Sequence, residues 1–213
     1  MNFQNKYIVI EGNIGAGKTS LATKIAEQFD GKLILEQFHD NPFLPKFYEN
    51  PERYSFPLEL SFLAARYKQL NKEITSTDLF KSFTITDYYF VKSLIFARST
   101  LSEDEFNLYR QLFDIIYQQL PLPNIYVFLH ANIDRLLENI KMRGRDYEKD
   151  IKANYLKQIN ESYFNYFQSE TRFPIIIIET SDIDFVKNEM HYNEILKILN
   201  NKSFNNGINR VQF

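Results

Sequence analysis

The chain has 213 residues, and its 25 Lys and Arg nearly balance its 27 Asp and Glu, for a net charge of −2. A general nucleic-acid binder carries a basic surplus, so that class loses weight. The absence of cysteine excludes disulfides, thiol catalysis and Cys-ligated zinc.

Predicted elements follow in chain order. Tyr7–Glu11 (YIVIE) is an apolar run ended by Gly12, the signal of a buried strand. Lys18–Phe29 repeats apolar residues at helical spacing through Leu21, Ile25 and Phe29. Leu33–Leu35 predicts a second strand, Phe56–Ile74 a long helix, Phe83–Thr86 a third strand and Val91–Ala97 a further helix. Ser102 and Glu105 form a capping box that opens a helix over Glu103–Leu120, and Pro121 and Pro123 stop it. Ile125–Leu129 (IYVFL) is a fourth strand, and Asn132 or Asp134 caps the helix that reaches Met142. Asp150–Ser169 is a helix with Ile151, Tyr155, Ile159, Tyr163 and Phe167 along it. Pro174–Ile178 (PIIII) is a fifth strand, and Phe185–Leu199 a last helix. Residues 1–200 read as one domain, since no linker divides them. Residues 201–213 read as a polar tail, frayed or loosely attached.

Strands that are continuously apolar and alternate with helices predict an α/β fold, a parallel five-stranded sheet covered on both faces. No stretch approaches the roughly 18 apolar residues of a membrane helix. The N-terminal MNFQNKYIVIEG lacks the basic region and apolar core of a signal peptide. The expectation is a cytoplasmic chain with no membrane partner. The 14 Tyr and 20 Phe are expected mainly in the core.

Gly12-Asn13-Ile14-Gly15-Ala16-Gly17-Lys18-Thr19 fits the phosphate-loop pattern G-x-x-x-x-G-K-[ST], between a predicted strand and a predicted helix. Glycines let successive backbone N–H groups turn toward phosphate oxygens, and the helix N-terminus adds its dipole. Lys18 supplies charge to the β/γ-phosphates, and Thr19 a hydroxyl to Mg²⁺. The motif predicts nucleoside triphosphate binding and says nothing of the phosphate's fate.

Glu36 ends the second strand at the sheet's ligand edge, where a carboxylate can take a proton from an attacking hydroxyl. A surface cap residue is the plainer alternative. In Arg143-Gly144-Arg145-Asp146-Tyr147-Glu148, two guanidinium groups flank a glycine and can swing onto a phosphate. A solvated turn at a helix C-terminus is the alternative; with a phosphate loop upstream, a lid over about residues 143–149 is the stronger reading.

Taken together the chain resembles the deoxyribonucleoside kinases of the thymidine kinase-like phosphate-loop family, and among them the bacterial deoxyguanosine/deoxyadenosine kinases. The resemblance spans roughly residues 5–199. It rests on GNIGAGKT, Glu36, the segment Asp40–Leu70, TDYYFVKSLIFA at Thr86–Ala97, LPLPNIYVFL at Leu120–Leu129 and RGRDYE. It implies ATP- and Mg²⁺-dependent phosphorylation of a deoxynucleoside 5′-hydroxyl. Glu36 looks like the proton acceptor, Tyr48 and Glu148 like the holders of the sugar 3′-hydroxyl, and Glu59 and Arg66 like the base contacts. Arg143 and Arg145 look like lid arginines. Asp182–Phe185, with Asp184 and Phe185 in it, falls where the family wraps the donor's adenine. A homodimer through Phe56–Ile74 and Glu103–Leu120 is implied too.

Two departures stand out. Many members follow an acidic residue after the third strand with Arg-Ser. Here Asp87, the expected acid near Mg²⁺, is followed by Tyr88 and Tyr89. Lys92, a turn on, can bring the missing charge, or can face solvent. Asn139 stands where many relatives have a further lid arginine, leaving Arg143 and Arg145, with Arg135 as possible help.

Glu59 bears on the substrate. A carboxylate offers only acceptors, which suit guanine's N1–H and N2 amine, whereas an amide suits adenine or cytosine. Arg66, two turns along the same face, has a fork that matches guanine O6 and N7. A surface ion pair between the two is the bland alternative. The expectation is a purine, deoxyguanosine before deoxyadenosine. A non-catalytic nucleotide binder and a nucleoside monophosphate kinase are the rival readings. The intact Lys18, Thr19, Glu36, Arg143 and Arg145 argue against the first. Tyr48 and Glu148 beside Glu36 argue against the second.

Overall fold

A computed structural model describes residues 3, 6–37, 41–75, 80–200 and 204–211, apart from the side chains of Thr75 and Tyr147. Asp40, the start of one motif segment, and residues 201–203, 212 and 213 of the predicted tail lie outside the described residues.

The strands are β1 (Tyr7–Gly12), β2 (Lys32–Ile34), β3 (Thr84–Thr86), β4 (Ile125–His130), β5 (Pro174–Glu179) and β6 (Gly207–Val211). They form one sheet in the order β2-β3-β1-β4-β5-β6, every pair parallel. The helices are α1 (Lys18–Phe29), α2 (Leu44–Glu49), α3 (Pro51–Thr75), α4 (Lys92–Thr100), α5 (Glu103–Tyr117), α6 (Ile133–Arg143), α7 (Ala153–Ser169) and α8 (Glu189–Leu199).

Successive strand side chains point to opposite faces, and here both faces are buried. Ile8, Ile10, Val127 and Leu129 pack with Leu21 and Ile25 of α1, Leu136 and Ile140 of α6 and Ile195 of α8. Tyr7, Val9, Tyr126 and Phe128 pack on the other face with Leu63, Ile95, Phe113, Ile159 and Tyr163. The second face takes most of the aromatic weight; Phe128 and Tyr163, for example, have ring centroids 4.7 Å apart. This arrangement bears out the α/β expectation.

Three expectations need correction. Among the described residues the sheet has six strands, not five, and the predicted frayed end is in part β6, which pairs with β5 from Pro174↔Gly207 to Ile178↔Val211. Its sequence, GINRV, lacks a run of apolar residues because an edge strand is held largely by backbone hydrogen bonds. The long helix begins at Pro51 and not at Phe56, and it contains Pro57. Pro51 suits a first turn, where its missing N–H would have had no partner anyway. Asn132, and not Asp134, caps α6, its side chain accepting the Arg135 N–H at 2.8 Å. The Ser102–Glu105 capping box forms as expected.

Candidate active site

The motifs converge at the carboxyl ends of β1, β2 and β3, where ligands sit in open parallel sheets. The phosphate loop runs from the end of β1 into α1. Gly15 and Gly17 have φ of 83° and 85°, in the left-handed region that glycine tolerates best. Space forbids a side chain as well: a Cβ on Gly15 would lie 2.7 Å from the Leu136 carbonyl oxygen, and one on Gly17 2.7 Å from the Phe185 ring. Asn13 ties the loop to α7, donating to the Leu156 carbonyl (2.7 Å) and to Asn160 Oδ1 (2.8 Å). Asn139 donates to the Gly15 carbonyl at 2.8 Å. Asn139 thus braces the loop, where the family resemblance had suggested a further lid arginine. Lys18 Nζ donates to the Asn13 carbonyl at 2.9 Å. Desolvation first, and then Lys92, push its ammonium down to about 8.

Beside the loop, the Thr19 hydroxyl donates to Asp87 Oδ2 at 2.6 Å, and Asp87 Oδ1 accepts the Glu36 N–H at 2.8 Å. A hydroxyl and a carboxylate side by side are hard oxygen donors, the set that suits Mg²⁺.

Glu36 is held from two helices. Arg66 of α3 reaches Oε1 with Nε (2.9 Å) and Nη2 (2.7 Å), and Lys92 of α4 reaches Oε2 at 2.5 Å. Burial would push this carboxylate up, but Lys92 and Arg66 outweigh it and hold the group at about 2. The remaining guanidinium nitrogen of Arg66, Nη1, donates to Ser93 Oγ at 2.8 Å. In this state Arg66 is committed to Glu36 and not aimed at a base. It is also no surface group, being 4% exposed. Lys92 is likewise buried and does not face solvent. Tyr88 and Tyr89, which stand in place of Arg-Ser, are core residues; Tyr88 Oη donates to Gln69.

Glu59 of α3 is 2% exposed. Its Oε1 accepts the Thr100 hydroxyl at 3.0 Å, and its Oε2 has no hydrogen-bond partner. Burial, only partly offset by Arg66 and Thr100, pushes it up to about 7. Glu148 lies in a 3₁₀ turn, Asp146–Glu148, just beyond the Gly144 cap of α6. One of its oxygens takes Arg143 Nε (3.1 Å) and Nη2, and the other takes Arg145 Nη1 (3.3 Å). Both predicted lid arginines thus rest on the predicted sugar carboxylate.

Two cavities share this ground. One is lined by Glu36, Tyr48, Glu59, Arg66, Asp87, Lys92 and Glu148, among others. The other, about 550 Å³, is lined by the phosphate loop, Arg135, Asn139, Asp184 and Phe185. Lys18, Thr19, Arg143 and Arg145 line both. Asp182 is exposed and lines neither cavity, while Asp184 Oδ1 accepts the Val186 and Lys187 N–H groups.

Ser93, Thr100 and Glu11 escaped the sequence reading. Glu11 is fully buried under the loop, where its carboxylate accepts the Tyr89 N–H (2.9 Å) and the Tyr163 hydroxyl (2.9 Å). A carboxylate at the end of an otherwise apolar strand was its available signal. Ser93 and Thr100 had none, since small hydroxyl residues on a helix are ordinary.

A family model described as deoxynucleoside kinase matches residues 8–204. The chain is 37% identical to a deoxyguanosine kinase of Bacillus subtilis over 195 residues, covering 89% of this chain and 93% of that one. It is 31% identical to a deoxyadenosine kinase of Lactobacillus acidophilus, covering 92% and 95%. A solved deoxyadenosine kinase from M. mycoides, with dATP bound, superposes with a TM-score of 0.79 at 21% identity, over 92% of this chain and 100% of that one, which speaks for the fold. With a phosphate loop, a carboxylate held by two cations and paired arginines on this fold, the chain belongs to the deoxynucleoside kinase family.

Proposed function

We propose that this kinase transfers the γ-phosphoryl group of ATP to the 5′-hydroxyl of a purine deoxynucleoside, deoxyguanosine before deoxyadenosine, giving the 5′-monophosphate and ADP. The observation that carries the reading is the junction of two cavities at Lys18, Thr19, Arg143 and Arg145, with Glu36 and Glu59 on the nucleoside side. A triphosphate lying along the loop and a nucleoside in the smaller cavity would bring the γ-phosphate and the 5′-hydroxyl together there. The relative with the higher identity of the two described is a deoxyguanosine kinase, and the acceptor-only Glu59 suits guanine.

In this reading Lys18 and the loop N–H groups of Gly12–Thr19 hold the donor phosphates, and the segment around Asp184 and Phe185 borders its base. Thr19 and Asp87 would hold Mg²⁺, which would neutralise phosphate charge. Glu36 orients the 5′-hydroxyl and receives its proton. A carboxylate held near 2 is a weak base, yet it suffices. In a loose phosphoryl-transfer transition state the hydroxyl becomes strongly acidic only as the new P–O bond forms, so the proton leaves late. Tyr48 and Glu148 hold the sugar 3′-hydroxyl. When phosphate draws Arg143 and Arg145 away, Glu148 is released to accept that hydroxyl, so lid closure and sugar binding assist each other.

We further propose a homodimer. Leu108, Leu112 and Ile115 are exposed along one face of α5, an apolar stripe that a second copy would cover. Among the described residues no helix is long and apolar enough to cross a membrane, and a cytoplasmic location fits a kinase of nucleosides and ATP. The test of the reaction is kcat/KM for the four deoxynucleosides with ATP and Mg²⁺. Deoxyguanosine should lead. No transfer to any of them, or a pyrimidine in first place, overturns the assignment.

A further inference from the structure

We propose that Glu59 reads the base in two protonation states, accepting guanine as a carboxylate and adenine or cytosine as a carboxylic acid. This rests on the reading of the smaller cavity as the nucleoside pocket. The ionised group offers two acceptors to guanine's N1–H and N2 amine. Protonated on Oε2, it offers one donor beside one acceptor. That pair matches adenine N1 with its 6-amine, and cytosine N3 with its 4-amine.

The geometry permits both states. Glu59 lines the cavity and its Oε2 is buried without a hydrogen-bond partner, so that oxygen is left to offer a ligand either a lone pair or an O–H. Thr100, which hydrogen-bonds Oε1, suits both forms. Its Oγ1 lies 3.0 Å from Glu59 Oε1 and 3.0 Å from the Phe96 carbonyl oxygen. A hydroxyl has one proton, which goes to Glu59 when that group is ionised. With Oε2 protonated, Oε1 is the carbonyl oxygen of the acid and goes on accepting that proton, so Thr100 keeps the same role in both forms. Neither state strands a buried polar group on this side.

The groups facing Glu59 balance one another. Arg66 of α3 and Lys92 of α4 favour the carboxylate; Glu36 beyond β2 favours the acid, as does burial. Tyr109 of α5 and Tyr155 of α7 face it as neutral phenols, both held well above the ordinary tyrosine range. With Arg66 and Lys92 already committed to Glu36, Glu59 sits near neutrality, where both forms are populated.

The test is the ratio of kcat/KM for deoxyguanosine over deoxyadenosine, followed across roughly one pH unit on either side of 7. Titrations shared by the two reactions cancel in the ratio. If each base needs its own form, the ratio tracks carboxylate over acid and climbs about tenfold per pH unit wherever the midpoint lies. In Glu59→Gln the slope should vanish and deoxyadenosine should lead. Nucleoside binding without ATP, followed by calorimetry in buffers of different ionisation enthalpy, should show proton uptake with deoxyadenosine and release with deoxyguanosine. A flat ratio with both nucleosides turned over, no proton exchange on binding, or no deoxyadenosine turnover at the acid end overturns the proposal. If no deoxynucleoside is phosphorylated at all, it is the proposed reaction that fails.

Discussion

The two ends of the cavity proposed to take the nucleoside each carry a glutamate, half-buried Glu36 and buried Glu59, and the protein treats them in opposite ways. At the phosphate end, Glu36 has two cations on its two oxygens and is held at about 2. At the base end, Glu59 has one hydroxyl and an empty oxygen and rises to about 7. Burial acts on both in the same direction, so the difference lies in where Arg66 and Lys92 point. In the proposed reaction, fixed charge is concentrated where charge is transferred. Where the base would be read, it is withheld, and discrimination would be left to donor and acceptor count.

Variants can break this contrast at its strong end first. Lys18→Ala should abolish turnover, because the β/γ-phosphates lose the cation set into the loop. Initial rates with deoxyguanosine read this directly, and more than a tenth of the activity remaining would remove Lys18 from the role. Glu36→Gln keeps the shape and one acceptor for Arg66 but cannot take the proton. The expected loss in kcat is about 10²–10⁴-fold, with nucleoside affinity by calorimetry little changed. Unchanged turnover would move the proton-accepting role to Asp87.

Arg143→Ala or Arg145→Ala should cost less, since the two share one task. A lone arginine finger contributes about 10³-fold or more, so each of a pair should cost roughly ten- to a hundredfold in kcat, with a smaller change in affinity. Equal losses in kcat and in affinity would show that they serve ground-state binding.

The smallest effect sharpens the base end. Glu59 is raised above its unfolded value, so between about 4.5 and 7 the folded chain binds the extra proton and stability falls as pH rises. Glu59→Gln removes that cost, and its gain in Tm over wild type should be larger at pH 8 than at pH 5. Glu36 has the opposite sign. Its contribution is complete above about 4.5 and is lost as pH falls toward about 2. A Tm difference for Glu59→Gln that does not change with pH would mean that burial does not perturb this group.

Much of the site was legible in the chain, but unevenly. The loop from Gly12 to Thr19 is contiguous, so its geometry is local and its pattern specific. The Lys92 ambiguity was not local. Helical spacing put it near the right face, but only packing decided between solvent and Glu36, 56 residues away. Arg66 was expected at the base. The fork that would suit guanine suits a carboxylate equally well, and in this state Glu36 has it. Glu148 was expected at the sugar and is found holding both lid arginines.

The sequence by itself determined the alternation of apolar strands with helices, the parallel sheet and the phosphate loop. Those signals are periodicities and short motifs, set by backbone geometry and burial within a single element. The tertiary structure alone decided the sixth strand, the side-chain partners and the protonation of the two glutamates. A polar edge strand has no periodic signature until a neighbour pairs with it. A buried carboxylate's charge depends on cations brought to it from other elements, and those distances exist only once the chain is folded.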